Sequence, residues 1–141
     1  MQARDESVPS IDQSLLMSVS LVSINASVAG ETPESEPIEV KATVIPSLTR
    51  DSQHEATLSV DVTVGFARKG PFEIHAIIEA TYRKPETVSG QSLVERFGEV
   101  AYVPLAFAGM LVSMITNSMG MVPLSLSVSD LISLSGLREG K

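Results

Sequence analysis

The residues from Ala101 to Ser129 form a run of 29 positions without one Asp, Glu, Lys, Arg or His. The whole chain carries a formal charge of −7, so this run stands apart from the rest of the sequence. Three structures would suit it: a membrane span, a buried core helix, or a helix whose apolar sides are shared between a sheet and another subunit. What this segment packs against therefore constrains the fold strongly.

A membrane span needs roughly 20 unbroken apolar residues and basic flanks, and neither is present. The run is interrupted by Pro104, Asn117, Gly120 and Pro123. Pro104 suits the first turn of a helix and Gly120 the position past its end, which predicts a helix of about 15 residues and no membrane insertion. A helix that is apolar almost all round should be covered on more than one side. We expect the second cover to be another copy of the chain.

Length and cysteine content bound the class of protein. The chain has 141 residues, enough for one core, and no cysteine, which removes disulfides, thiol nucleophiles and thiolate metal sites. The apolar stretch 15–29 resembles a secretory signal, but acidic residues precede it where a signal is basic, so we expect a cytoplasmic protein. We divide the chain into a flexible acidic leader at 1–14, one domain at 15–137 and a short tail at 138–141.

Acidic residues are concentrated near the N-terminus, where positions 1–40 hold seven acidic side chains against one basic. Nucleic acid is therefore not expected as a partner, since its phosphates select basic surfaces. Part of the acidity falls in 31–37, whose Pro and Glu content indicates an exposed loop. We interpret these acidic segments as solvated, in preference to a dedicated docking patch.

Four segments have the alternation of apolar and polar residues that is typical of β-strands. In 15–28, Leu15, Met17, Val19 and Leu21 alternate with other residues, and the apolar phase then switches, as a bulge would require. A second segment starts at 38 and ends near Pro46, and clearer alternation follows in 57–66 and 72–82. Four consecutive antiparallel strands are the simplest connection.

One polar and one apolar face on each strand predicts a sheet that is solvated on one side and covered on the other. Helices must provide the cover. We predict a short helix within 89–100, then the long apolar helix, then a short amphipathic helix at 130–137. Because strands come first and helices afterwards, the predicted fold class is α+β: a four-stranded antiparallel sheet covered by two main helices.

The search for catalytic or metal-binding motifs is negative. His54 and His75 have no Cys or His partner at metal spacing, which predicts no metal site. The sequence has no Gly-rich phosphate loop, no nucleophile elbow and no carboxylate pair in an apolar setting. We therefore predict that the protein is not an enzyme, has no catalytic residue and needs no cofactor. A small-ligand module stays open, since a sheet capped by helices can enclose a pocket.

Five short motifs follow one another in a definite order: Pro37-Ile-Glu-Val-Lys41, Leu58-Ser-Val-Asp-Val-Thr-Val64, Val103-Pro-Leu-Ala106, Ser113-Met-Ile115 and Gly120-Met-Val-Pro123. The last motif is followed by Leu124, Leu126, Val128, Asp130 and Leu131. No single motif is specific. Their order and spacing together resemble the SecB export chaperones and their SecB-like relatives, over roughly Leu15 to Leu134.

The resemblance implies a homotetramer, a dimer of dimers, that holds unfolded preproteins and passes them to the SecA motor. In that family the long helix lies at the contact between dimers, which implies these interface residues: Leu105, Phe107, Leu111, Met114 and Ile115. Client grooves in the family are lined by the sheet and by the segment after the long helix. Carried over by position, the client-binding residues are Ile38, Val40, Ala42, Val44, Tyr82, Leu124, Leu126, Val128, Leu131 and Leu134.

The chain also departs from the family pattern. Ser35-Glu36 stands where the family has an aromatic residue, and no extended motor-binding region follows Leu137. Some SecB-like proteins protect an antitoxin partner, so the sequence leaves two chaperone hypotheses open: general export with SecA, or dedication to an antitoxin. The alternative from another class is a structural or ligand-binding α+β domain, in which the client-binding positions above are ordinary core residues.

Overall fold

A computed structural model of the chain describes residues 14–28, 39–66, 72–120 and 124–137. It contains four strands and three α-helices, with a 3₁₀ turn at Phe97–Glu99 between the first two helices. The elements are β1 (Leu15–Val28), β2 (Val40–Asp51), β3 (Glu55–Phe66), β4 (Phe72–Arg83), α1 (Gly90–Glu95), α2 (Tyr102–Ser118) and α3 (Val128–Ser135). All strands precede all helices, which confirms the predicted α+β class.

The four strands form one antiparallel sheet in the order β1-β4-β3-β2. Consecutive hairpins, the simplest connection, would have put β1 beside β2. Instead β1 pairs with β4, so that Leu16 lies opposite Tyr82 and Ile24 opposite Ala76. This order makes β1 and β2 the two edge strands of the sheet.

The core lies on one face of the sheet, as the alternation in the sequence predicts. Every second residue of β3 from Ala56 to Val64 is buried, and so is every second residue of β4 from Phe72 to Tyr82. The side chains between them, mostly Thr, Ser and acidic residues, form the outer face. Helical residues complete the core from the other side, and the largest fully buried ones are Leu93, Leu105 and Leu131, with Phe97 of the 3₁₀ turn.

Strand β1 contains two register shifts, one between Leu16 and Ser18 and one between Leu21 and Ser23. The second is the bulge that the phase switch after Leu21 predicts. The first was not predicted, and it changes the facing of the strand's start: Leu15 and Met17 are exposed, whereas Leu16 and Val19 pack on the core. The expectation that Leu15 and Met17 share a face with Val19 is therefore wrong, because a bulge inverts the alternation.

Strand β2 runs through Pro46, which lies opposite Val60, and continues to Asp51. The prediction that this strand ends near Pro46 is wrong. Proline cannot donate to a sheet ladder, but an edge strand leaves half of its N–H groups without a partner strand and so accommodates it.

The three helices begin and end largely where local signals indicate. Ser89 caps α1 by accepting from the Ser92 amide. Pro104 lies in the first turn of α2, and Gly120, just past its end, has a φ of 81°. The helix predicted within 89–100 is divided into α1 and the 3₁₀ turn. Helices α1 and α3 pack against β2, and α2 packs against α3, β4 and β1.

Candidate functional site

The client-binding positions predicted on the sheet fall on strand β2, next to α3. Helix α3 packs against β2. Val40 is half-buried, while Ala42 and Val44 are buried in the core. Ile38 lies outside the described residues. Of these sheet positions, Val40 keeps the most surface that a ligand could contact.

The segment 124–127, which we term the strap, connects the end of the α2 region to α3. Its Leu124 and Leu126 are half-buried and pack against the core, as does Val128 at the start of α3. A capping box in which Ser127 and Asp130 exchange hydrogen bonds starts α3, and Gly136 in the left-handed conformation ends it. The strap therefore carries two predicted client-binding residues, Leu124 and Leu126, and leads to Val128 at the start of α3, the helix that packs against β2.

Two residues of α2 fix the position of the strap. The Thr116 hydroxyl is fully buried, accepts from the Leu124 amide at 2.9 Å and donates to the Val112 carbonyl at 2.9 Å. At Gly109 an added Cβ would lie 2.4 Å from the Leu126 carbonyl oxygen, so only glycine allows the strap to cross α2 this closely. These contacts were not predicted, because nothing near Gly109 in the sequence indicates a crossing chain.

The two predicted client-binding leucines of α3 differ in burial. Leu131 is fully buried and belongs to the core, whereas Leu134 is 42 % exposed. Together with the half-buried positions above, Leu134 defines an apolar set that we term the β2-side surface: Val40, Leu124, Leu126, Val128 and Leu134. It is the part of the predicted client site that retains accessible area.

Tyr82 lies inside the protein. Its ring is buried in the core and its hydroxyl donates to the Val100 carbonyl at 2.7 Å, which joins β4 to the segment that leads into α2. Burial raises the pKa of this phenol well above its usual range, because the charged form would be desolvated. In this conformation Tyr82 positions α2 and offers little surface to a client.

Lys84 is a buried lysine that the sequence did not single out, and it lies at the same end of the sheet as Tyr82. Lys84 donates to the Val88 carbonyl at 2.7 Å and to the Gln53 carbonyl at 3.3 Å, and its Nζ lies 3.6 Å from Asp51 Oδ1. Asp51 in turn accepts from the Gly90 amide at 3.3 Å. The Lys84–Asp51 pair links the β2–β3 hairpin to the start of α1. Because Lys84 bonds mostly to backbone carbonyls, which are present at every residue, the sequence gives no sign of these contacts.

The predicted interface residues on α2 differ in burial. Leu105 is fully buried inside the protomer, Phe107, Leu111 and Ile115 are half-buried, and Met114 is 58 % exposed. Three further large apolar side chains of this helix are exposed although they were not predicted as interface: Tyr102, Val103 and Met110. Positions 102, 106, 110 and 114 follow helical i, i+4 spacing and thus share one side, which we term the outer face of α2.

Strand β1 presents a second apolar surface, along the edge of the sheet. It has 14 residues, none of them charged, and its far edge has no partner strand within the described part of the chain. Four of its large side chains are exposed: Leu15, Met17, Leu21 and Val22. The sequence signal was present in the absence of charge over 15–28, but an edge position is visible only in the sheet order.

The histidines do not form a metal site in the described ranges. His75 lies on the outer sheet face, where its Nε2 is 2.6 Å from Asp61 Oδ1 in a partly exposed pair, and His54 is exposed. No group of three or more His, Cys, Asp or Glu among residues 14–28, 39–66, 72–120 and 124–137 could hold a metal ion. In the same ranges no helix is both long enough and apolar enough to span a bilayer.

Comparison with known proteins identifies the fold. No family model matches the chain, and no curated protein matches its sequence. Among solved structures, the chain is similar to the Mycobacterium tuberculosis Rv1957 SecB-like chaperone, determined in complex with a ChAD peptide from the Rv1956 HigA1 antitoxin. The TM-score is 0.66 at 11 % sequence identity, and the match covers 82 % of this chain and 90 % of that chain. The resemblance predicted from the motifs is thus confirmed at the level of the fold.

Proposed function

We propose that this chain is a holding chaperone, which binds unfolded polypeptide on the β2-side surface and acts as an oligomer, without catalysis. The observation that carries the proposal is the shared fold with a SecB-like chaperone whose structure includes a bound peptide. An apolar set of side chains that remain accessible after folding, on β2, on α3 and on the strap that leads into α3, supports it.

The β2-side surface suits weak and unselective binding. Burying apolar area yields roughly 25 cal/mol per Å², and the cost of ordering an unfolded chain offsets much of this gain. A single surface of five aliphatic residues should therefore hold a client segment only briefly. Several copies in one oligomer would raise the effective concentration of neighbouring client segments, by on the order of a hundredfold in retention.

Charge distribution supports self-association. Of the elements in the described ranges, only β1 and α2 contain no Asp, Glu, Lys, Arg or His. These two elements carry eight of the ten large apolar side chains that are exposed there. In a two-fold contact the same patch meets itself, so a charged patch on a chain of −7 would meet like charge, whereas an uncharged patch avoids this repulsion.

Two such surfaces are what a dimer of dimers requires, because it needs two different two-fold contacts. In our proposal the β1 edges of two copies pair, and α2 outer faces join the resulting dimers. Of the interface residues inferred from the resemblance, Phe107, Leu111, Met114 and Ile115 can contribute to the α2 contact. Leu105 would support it from inside the protomer, since it is fully buried.

The choice of client divides the proposal into two versions. In one, the protein holds preproteins in the cytoplasm for export and delivers them to SecA. In the other, it protects one antitoxin partner, which is favoured by the antitoxin peptide bound to the structural neighbour. A panel of unrelated unfolded proteins separates the versions: a general holder retains most of them, and a dedicated one retains few. Addition of purified SecA then tests delivery by release of the held preprotein.

Suppression of aggregation tests the proposal itself. Light scattering of a chemically unfolded test protein, diluted into buffer, should fall when the chain is present at one oligomer per client. The matched control is the Leu134→Asp variant, which places a charge on the β2-side surface at an exposed position and should suppress aggregation less. If the unmodified chain leaves scattering of every client in the panel unchanged, the structural or ligand-binding alternative is preferred.

A further inference from the structure

The outer face of α2 carries two exposed thioethers. The chain contains six methionines and no cysteine, so methionine is its only oxidisable sulfur. Met110 is 49 % exposed and Met114 is 58 % exposed. They are four residues apart on one helix, which places them on the same side and about 6 Å apart.

The surroundings of this pair offer few groups that could solvate an added oxygen. Helix α2 contains no charged side chain, and its interior amides are engaged in the helix. Most of the exposed neighbours on this face, Tyr102, Val103 and Ala106, present mainly carbon, and the exposed amide side chain of Asn117 lies three residues beyond Met114. A polar atom introduced here is tolerated in water but loses its hydration if the face is covered.

Oxidation would introduce such an atom. Hydrogen peroxide transfers one oxygen to the thioether sulfur: the O–O bond breaks, an S–O bond forms, and water is the leaving product. The sulfur loses two electrons and the peroxide is reduced by the same two. The sulfoxide is a strong hydrogen-bond acceptor on a side chain that was apolar, and such changes disrupt methionine-rich contacts.

We propose that Met110 and Met114 form a modification site for peroxide, at which sulfoxide formation releases the α2 contact between dimers while leaving the β1 contact in place. The inference rests on the assembly described under the proposed function. Peroxide reaches the sulfurs when the contact opens, since a reversible assembly continually exposes them. The oxidised dimers then no longer reassociate into tetramers. The expected weakening of the contact is roughly tenfold or more, because a sulfoxide covered by mainly apolar side chains loses most of its hydrogen bonds to water.

Sedimentation velocity on the full chain before and after peroxide treatment, with mass analysis of its peptides, tests the inference. The untreated protein should be a tetramer, and the treated protein, oxidised at Met110 and Met114, a dimer. The Met110→Leu/Met114→Leu variant should stay tetrameric after the same treatment, since leucine keeps the apolar volume and has no sulfur. Met17, on β1, is 48 % exposed and is open to the same oxidation, so Met17→Leu is the matched control. It should dissociate to dimers as the unmodified chain does, and dissociation of the unmodified chain alone to monomers would overturn the claim that the β1 contact stays in place.

Enzymatic reduction of the oxidised, unsubstituted chain by methionine sulfoxide reductases supplies a readout that requires no variant, and it should restore the tetramer. A chain oxidised at both sulfurs that remains tetrameric overturns the inference and leaves the assembly proposal standing. Equal dissociation of the double leucine variant also overturns it, because the effect then arises elsewhere. A monomeric untreated protein overturns the assembly proposal and this inference together.

Discussion

The two edges of the same sheet are built in opposite ways. Strand β2 carries Lys41, Arg50 and Asp51, contains Pro46, and is packed by two helices. Strand β1 is longer, has no charge and no proline, and exposes four large apolar side chains. Charged residues, proline and covering helices are the means by which proteins protect a sheet edge from pairing with other chains.

This difference between the two edges indicates which of them suits contact between copies and which suits client binding. An unprotected apolar edge is an aggregation hazard unless a defined partner occupies it. We therefore assign β1 to contact between copies and the β2 side to clients. The predictions that follow test this assignment, beginning with the largest expected effect.

A charge on the β1 edge should break the assembly. Val22→Lys and its two-fold mate would place like charges near each other in the β1 contact, which weakens it by roughly a hundredfold or more. Ile45→Lys is the matched control, because Ile45 is 60 % exposed on the other edge strand and Val22 is 58 % exposed. Sedimentation equilibrium should show dissociation for the first variant alone. Equal dissociation of both would contradict the difference between the edges.

Substitutions at two leucines of α3 should distinguish a core residue from a residue of the client-binding surface. Leu131→Ala removes a fully buried side chain and should lower the free energy of unfolding by about 3 kcal/mol, measured by urea denaturation. Leu134→Ala should leave unfolding nearly unchanged but weaken binding of an unfolded client by about fivefold, since this side chain is partly exposed. The assignment of clients to the β2 side fails if Leu134→Ala binds clients as tightly as the unmodified chain.

The strap that supplies part of this surface should be sensitive at one glycine. Gly109→Ala would place a methyl group against the Leu126 carbonyl and should cost about 2 kcal/mol of stability through overpacking. Ala106→Gly, at an exposed position of the same helix, is the control and should cost about 1 kcal/mol through helix propensity alone. If both variants unfold at the same urea concentration, the strap does not depend on close approach to α2.

The smallest effect concerns the β1 side of the core, where Tyr82 lies opposite Leu16. Because burial raises the pKa of Tyr82, the folded state keeps its proton at a pH where the unfolded chain releases it. Its contribution is fully present below the unfolded pKa of about 10 and decreases by about 1.4 kcal/mol per pH unit above it. Urea denaturation across this range should show a shallower decline for Tyr82→Phe. Parallel declines would contradict the buried hydroxyl.

The burial pattern of the central strands β3 and β4 could be predicted from the sequence because each of them has a strand on both sides. The alternation in β3 and β4 depends only on one covered face, and the burial of Leu58, Val62 and Ile78 follows it. The bulge after Leu21 was visible because apolar residues change phase there. The bulge at Met17 was not visible in the sequence. Leu or Met stands on both faces there, so no polar residue marks the point where the alternation inverts.

Features that depend on chain-distant partners could not be predicted. The pairing of β1 with β4, and the continuation of β2 past Pro46, follow from the order of the whole sheet. Tyr82 and Lys84 bond to carbonyls at Val100, Gln53 and Val88, and a carbonyl is available at every residue. The client-binding and interface residues remain predictions, now narrowed to those with accessible surface.

Hydrogen–deuterium exchange of the full chain, with and without a permanently unfolded client, most directly tests the assignment of β1 to contact between copies and of the β2 side to clients. We predict that β1 amides exchange slowly in both samples because they are already paired between copies. Addition of client should slow exchange in β2 and in residues 124–137. Slowed exchange in β1 on client addition, with β2 unchanged, would contradict the assignment.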